Sequence, residues 1–282
     1  MRSRGSQRRR DEIVRLATAS GPASVEELAR AFGVTASTIR RDLAALTAEG
    51  RLARTYGGAM PVTAHPEPPL RERTGEAFAA KRAIARAAVA EVGPGETVLL
   101  DAGSTVGALA RELRSVPGLT VITVGLTALQ ELSDPAEIDA QGITVHCLGG
   151  TLRPLSQGFV GPLAEAALER LTFDRAFLGA DGVTVEGLCE ADLAQTRLKE
   201  LMARRAAQVV VLAHGAKLGR RPFHAWARLD PGWRLITDDG ADPRVVDRFR
   251  AAGIDVVVAG TGPGVTRRAA GAAGSPAARG RC

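Results

Sequence analysis

The seven residues LLDAGST, positions 99–105, run an apolar strand into an acid, a glycine and two hydroxyls. A turn of this kind that opens a helix aims backbone N–H groups, the hydroxyls of Ser104 and Thr105 and the helix dipole at one point, where a phosphate is well held. Gly103 gives that turn its backbone freedom. Two further glycine segments follow strand-like runs: Gly149 and Gly150 after ITVHCL, and GADG (179–182) after DRAFL. The second brings Asp181 and Gly182 to the same rim as Asp101, where two carboxylates suit sugar hydroxyls as acceptors. The chain has 34 arginines and only three lysines, Lys81, Lys199 and Lys217. An ammonium is a compact charge for places where a guanidinium fork does not fit, so these lysines point to an anion pocket, the alternative being ordinary surface lysines. Each glycine loop alone is what any short strand-to-helix turn needs; their joint placement argues for a phosphorylated small molecule.

Those residues need a frame. Strand candidates are TVLLD (97–101), LTVITV (119–124), ITVHCL (143–148), DRAFLGAD (174–181), QVVVLA (208–213), WRLIT (233–237) and IDVVVA (254–259). Helix-length stretches such as KRAIARAAVAEV, GALARELR, VGPLAEAALERL and DLAQTRLKELMARRA lie between most of them. Nearly continuous apolar strands separated by helices predict an α/β fold: a doubly wound, mostly parallel sheet over 78–260, covered on both faces. Ligands of such sheets sit just past the carboxyl ends of the strands, where the glycine turns fall.

The first 60 residues read differently. Ile13, Leu16 and Ala17 repeat at helical spacing. Ser24 precedes VEELARAF with Glu27 three residues on, a capping box, and Gly33 ends that helix. Thr35 caps a third helix, ASTIRRDLAALTAEG, with Ile39, Leu43 and Leu46 on one stripe. Ser37 and Arg41 then fall opposite that stripe, with Thr38 and Arg40 on its flanks. A helix with a basic, hydroxylic N-terminal end is suited to the major groove, where arginine takes guanine bidentately and Ser or Thr meets a base or a phosphate. RLART and the pair Gly57 and Gly58 predict a wing, from which Arg51, Arg54 and Tyr56 could grip the backbone. The segment reads as a winged helix-turn-helix (1–60), and the proline-rich stretch 61–77 as a linker.

Charge supports this division. The chain of 282 residues carries 37 basic and 31 acidic residues, net +6. Residues 1–60 hold eleven arginines against six acids, and 261–282 four arginines and no acid, so the stretch between is net acidic. A basic head on an acidic body predicts that the head alone meets a polyanion. The segment 261–282 is poor in large apolar residues and is expected to be a disordered basic tail. Cys147, Cys189 and Cys282 are few and lack metal spacing, which predicts a reducing, cytoplasmic setting with no zinc site, disulfide framework or cofactor. The basic start has no apolar signal region, and the longest apolar runs are strand-sized, so neither secretion nor a membrane span is expected.

The run SVEELARAFGVTASTIRRDLAALTAEGRLARTYGGAM resembles the DNA-binding head of the DeoR family of bacterial sugar-metabolism repressors. The likeness continues in order through PLRERTGEAFAAKRAIARAA, LLDAGST, LGGTLRP, VGPLAEAAL, FDRAFLGADGV and KLGRR, over roughly residues 8–240. It implies a repressor of a carbohydrate operon that binds a double-stranded DNA operator and is relieved by a sugar phosphate around Ser104, Thr105, Asp181 and Lys199. Two heads are expected to act together, in a dimer or higher even oligomer, because one short helix reads too little sequence. The family's sensor is similar to ribose-5-phosphate isomerases, which raises the alternative of an isomerase with an accessory DNA-binding head. Asp181 could serve such chemistry, but Glu186 and Glu190, the candidate second partners, read as solvated loop residues. Three departures bear on the ligand. Val124, Gly125 and Leu126 stand where the family has a Thr-Asn-Ser run, CEAD (189–192) replaces a hydroxyl-rich segment, and HGAKLG puts His214 near Lys217.

Overall fold

The computed structural model describes residues 2–20, 23–48, 52–55, 58–61, 67, 69–262 and 266–267. The chain begins with α1 (Arg2–Ser20), the short strand β1 (Ala23–Ser24), α2 (Val25–Phe32) and α3 (Ala36–Ala48). The strands β2 (Leu52–Thr55) and β3 (Gly58–Pro61) complete an antiparallel sheet in the order β1-β3-β2. Local signals set the boundaries. Ser24 Oγ accepts from the Glu27 N–H at 3.1 Å while the Glu27 carboxylate accepts from the Ser24 N–H at 2.9 Å, the reciprocal cap that the spacing predicts. Gly33, at φ 60°, closes α2 in the left-handed region. Ile39, Leu43 and Leu46 pack with Ile13, Val25 and Leu28 into the head's core. Asp42, buried at its edge, pairs with Arg9 and Arg10 at 2.7 and 3.1 Å and ties α1 to α3.

The helices α4 (Leu70–Gly75) and α5 (Phe78–Val89) lead into the second region. There β4 (Thr97–Leu100), β5 (Thr120–Thr123) and β6 (Thr144–Cys147) are joined by α6 (Ser104–Leu113), α7 (Leu126–Glu131) and α8 (Pro135–Gln141). A hairpin of β7 (Thr151–Arg153) and β8 (Gly158–Val160), then α9 (Pro162–Leu168), precede β9 (Phe173–Leu178). Next come β10 (Gly182–Thr184), β11 (Gly187–Glu190), α10 (Leu193–Arg204), β12 (Ala206–Leu212) and β13 (Ala225–Ala227). The last elements are β14 (Arg234–Asp238), α11 (Pro243–Ala251), β15 (Asp255–Ala259) and β16 (Thr266–Arg267).

The central sheet runs β16-β15-β14-β12-β9-β4-β5-β6, parallel throughout except for β15 with β16. Seven of its strands are the seven apolar runs of the sequence. Successive side chains point to opposite faces: Leu99, Ile122 and Val211 join one core cluster, and Val98, Leu100 and Val121 the other. From β4 the chain builds outward through β5 and β6 on one side, then returns to β9 on the other. The topological switch point therefore lies between β4 and β9, and the crevice past their carboxyl ends is where a ligand belongs.

Part of the stretch expected to be a linker is ordered against this domain. Glu67 and Leu70 are buried, and the Leu70 N–H donates to the Leu155 carbonyl at 3.0 Å. Residues 62–66 and 68 lie outside the described residues, as do 263–265 and 268–282 of the expected tail; its residues Thr266 and Arg267 form β16. No described helix is long and apolar enough to cross a membrane.

Candidate DNA-reading helix and anion cleft

On α3 the buried stripe leaves Ser37, Arg40 and Arg41 exposed and Thr38 half-buried at the N-terminal end. Thr35 Oγ1 accepts from the Thr38 N–H at 3.3 Å and lies 2.9 Å from the hydroxyls of both Ser37 and Thr38. The first turn of α3 thus presents a cluster of hydroxyls beside its positive dipole end. Arg9 and Arg10 are taken up by Asp42, whereas Arg40 and Arg41 make no ion pair among the described residues. Ser24 Oγ accepts the α2 capping bond. Arg54 lies on β2, and Arg51 and Tyr56 lie outside the described residues.

The cleft at the switch point is walled by the turn after β4 and the first turn of α6, where Gly103, at φ 116°, precedes Ser104 and Thr105. No side chain caps α6, so its first N–H groups are left for other acceptors. The opposite wall is Gly179, Ala180 and Asp181 after β9, Glu190 at the end of β11, and Gln195 and Lys199 on α10. Arg73, Ser156 and Lys217 close it.

Its floor is an ion network. The buried Lys199 ammonium donates to Asp101 Oδ2 at 2.7 Å, to the Gly179 carbonyl at 2.6 Å and to the Glu190 carboxylate. An ammonium has three protons, so Lys199 is saturated. Asp101 is also spoken for: Oδ1 accepts from the Ala102 N–H at 2.7 Å and Oδ2 from the Gly179 N–H at 2.9 Å. Together they lash the β4 turn to the β9 turn. Burial opposes the charge on Lys199, but Asp101 and Glu190 outweigh it and hold the ammonium above the ordinary lysine range. Burial raises the Glu190 carboxyl well above the usual carboxylate range; Lys199 pulls it down, and Asp181 and Asp101 push it up further.

Two other lysines are under-used. Lys81, buried on α5, donates to the Arg73 carbonyl, and the half-buried Lys217 donates to the Ala180 carbonyl at 2.5 Å. Neither has a carboxylate within salt-bridge distance among the described residues. Burial, with Lys217 nearby, pushes Lys81 down to about 8; burial likewise lowers Lys217, against the pull of Asp181. In the cleft lie buried polar atoms with no hydrogen bond among the described residues: Asp181 Oδ2, Ser156 Oγ, Gln195 Oε1 and Arg73 Nε. Thr127 Oγ1, Arg153 Nη1 and Thr237 Oγ1 are unpaired elsewhere, but four such atoms meet in this one cleft.

The structure therefore redistributes the residues expected from the sequence. Gly103, Ser104, Thr105, Asp181, Lys199 and Lys217 line the cleft, and Lys81 lines the adjoining crevice that shares Ser104. Asp101 lies beneath it with both oxygens committed, so it is not an acceptor for sugar hydroxyls. Lys199 is an internal clamp rather than a spare cation. Gly149, Gly150 and Gly182 stand off the cleft. The hairpin β7–β8 carries the first two away, with Gly150 packed on the Val160 carbonyl, and a Cβ on Gly182 would come within 2.3 Å of the Arg220 carbonyl. Glu190, expected to be solvated, is buried on β11. Arg73, Ser156 and Gln195 were not singled out by sequence. Val124, Gly125 and Leu126 back the cleft without lining it; a Cβ on Gly125 would meet Ala102 Cα at 2.8 Å. His214 is likewise off the cleft, and burial with Lys217 nearby pushes it down to about 4, so it stays neutral.

A winged helix-turn-helix head followed by a doubly wound α/β domain with a polar cleft at its switch point is the build of a DNA-binding regulator with a sensor domain. Residues 9–64 match the DeoR-like helix-turn-helix domain, and residues 76–239 the DeoR C terminal sensor domain. The HTH-type transcriptional regulator GlpR of Haloferax volcanii is 39% identical over 251 residues, spanning 88% of this chain and 96% of its own. GolR of Listeria innocua, another HTH-type transcriptional regulator, is 33% identical, spanning 89% of this chain and 98% of its own. The lactose phosphotransferase system repressor of Streptococcus mutans is 30% identical, spanning 84% and 94%. A ribose 5-phosphate isomerase of Methanocaldococcus jannaschii aligns over 49% of this chain and 52% of its own at 21% identity and a TM-score of 0.32, too slight a likeness to argue from. The chain belongs to the DeoR family of transcriptional regulators, and it is a regulator, not an enzyme.

Proposed function

We propose that this protein represses a carbohydrate-metabolism operon by binding a double-stranded operator, and that a phosphorylated sugar in the cleft relieves the repression. The observation that carries the reading is the mixed lining of the cleft. The α6 N-terminus and Lys217, with Lys81 in the adjoining crevice, offer donors and positive charge, and Asp181, Ser156 and Gln195 in the same lining offer unbonded acceptors. A phosphate suits the donors and sugar hydroxyls suit the acceptors. The relatives support the reading, since one is named for the lactose phosphotransferase system. The α3 helix reads one half-site, so two or more copies of the chain bind together.

The test is titration calorimetry on the full chain with a panel of sugar phosphates, the matching free sugars and inorganic phosphate. A phosphorylated sugar binds, its free sugar does not, inorganic phosphate competes, and Asp181→Asn weakens the sugar phosphate more than phosphate itself. Free sugars that bind as tightly as their phosphates would overturn the reading.

A further inference from the structure

The residue that closes the cleft also holds the segment that leads to the DNA-binding head. Arg73, on α4, donates through Nη1 to Asp181 Oδ1 at 3.0 Å. Through Nη2 it donates to Glu67 Oε1 and to the Leu155 carbonyl, each at 3.0 Å. The other oxygen of Glu67 is held by Arg153. Glu67, Arg73 and Asp181 are thus one chain of buried contacts, with side-chain exposures of 3%, 12% and 9%. Glu67 does not touch the cleft, while Arg73 and Asp181 line it. Only residues 62–66 separate Glu67 from β3 of the head, at most about 22 Å of extended chain. At the other end of α4 stands Ala77 at φ 50°, a left-handed conformation that is strained for a residue with a Cβ. Glu67 and residues 69–75 therefore act as a strap, pinned at the cleft and sprung at the far end.

We propose that this strap carries the ligand signal: an anion in the cleft completes Arg73 and Asp181, fixes Glu67 against the domain, and so restricts where the head can stand. The two atoms left unbonded within the chain of contacts, Arg73 Nε and Asp181 Oδ2, give the direction. A phosphate oxygen accepting from Nε and a hydroxyl donating to Oδ2 add bonds to the docked strap without breaking those to Glu67. Ligand binding thus favours docking, and by reciprocity docking favours the ligand. The inference rests on the anion-binding reading of the cleft.

Hydrogen exchange on the full chain, with and without saturating inorganic phosphate, separates the two. In the native protein, phosphate slows exchange at the α6 N-terminus (103–107) and, by about tenfold or more, at 70–75. Glu67→Gln and Arg153→Ala each keep the protection at 103–107 and lose most of it at 70–75. Equal protection of 70–75 in the native protein and both variants, or none in the native protein when 103–107 responds, overturns the strap. No protection at 103–107 overturns the anion site and the strap with it.

Discussion

Replacing Lys217 by methionine should separate binding from stability. Lys217 sits on the tight turn Gly215–Lys217, which Asp238 Oδ1 pins through the Gly215 N–H at 2.7 Å, so the backbone keeps its place whatever the side chain does. Its ammonium has one hydrogen bond, to the Ala180 carbonyl, and two protons left for a ligand. Methionine keeps the length of the stem and removes the charge. The protein loses one charge-assisted hydrogen bond, about 1.5–3 kcal/mol, and is relieved of a poorly solvated cation that offsets much of it, so stability should fall by no more than about 1–2 kcal/mol. The ligand loses a charge-assisted bond worth about 1.5–3 kcal/mol, a fall in phosphate affinity of roughly 10- to 150-fold. Thermal unfolding and phosphate titration of the two proteins read both quantities. A clear loss of stability with unchanged phosphate affinity would refute the reasoning and make Lys217 a tether for the β9 turn.

Other consequences follow from the same geometry. Lys199→Met leaves Asp101 and Glu190 without their shared cation, and chemical denaturation should show a loss of about 3–5 kcal/mol; a neutral result would mean the floor is not an ion network. Lys81 loses its proton near pH 8, and the anion needs that proton present. With phosphate already in its dianionic form, affinity in calorimetry should fall as pH rises through 8, with proton uptake on binding above it; an affinity that rises there would contradict the role of Lys81. Arg41→Ala should cost about 1–3 kcal/mol of operator affinity and relax preference at one base position if Arg41 reads a base edge. Equal weakening on all DNA, measured by anisotropy, would make it a phosphate contact.

The parts of this molecule that were legible in its sequence are those governed by near neighbours. The capping box at Ser24 and Glu27, the stop at Gly33 and the α3 stripe are local, and each parallel strand announces itself as an apolar run. The turn at 101–105 was legible for the same reason. What was hidden depends on where distant segments meet. Nothing in GLCE shows that β11 pairs with β13 and so buries Glu190. Three scarce lysines could be singled out, but whether each is saturated depends on the acceptors that the fold brings to it: three for Lys199, one each for Lys81 and Lys217. Arg73 is one of 34 arginines, marked only by the partners it finds at Asp181 and Glu67. The chain's unusual run at 124–126 looked like a lost ligand contact, and the fold uses it instead to let β5 approach the turn at Ala102.

The most direct test of the account is fluorescence anisotropy of the full chain on DNA from immediately upstream of its own gene, at fixed moderate salt, with and without sugar phosphates at concentrations that fill the cleft. The account predicts sequence-specific binding that a phosphorylated sugar weakens and its free sugar leaves alone. Specific binding that no cleft-filling phosphate shifts would contradict the claim that the cleft governs the head.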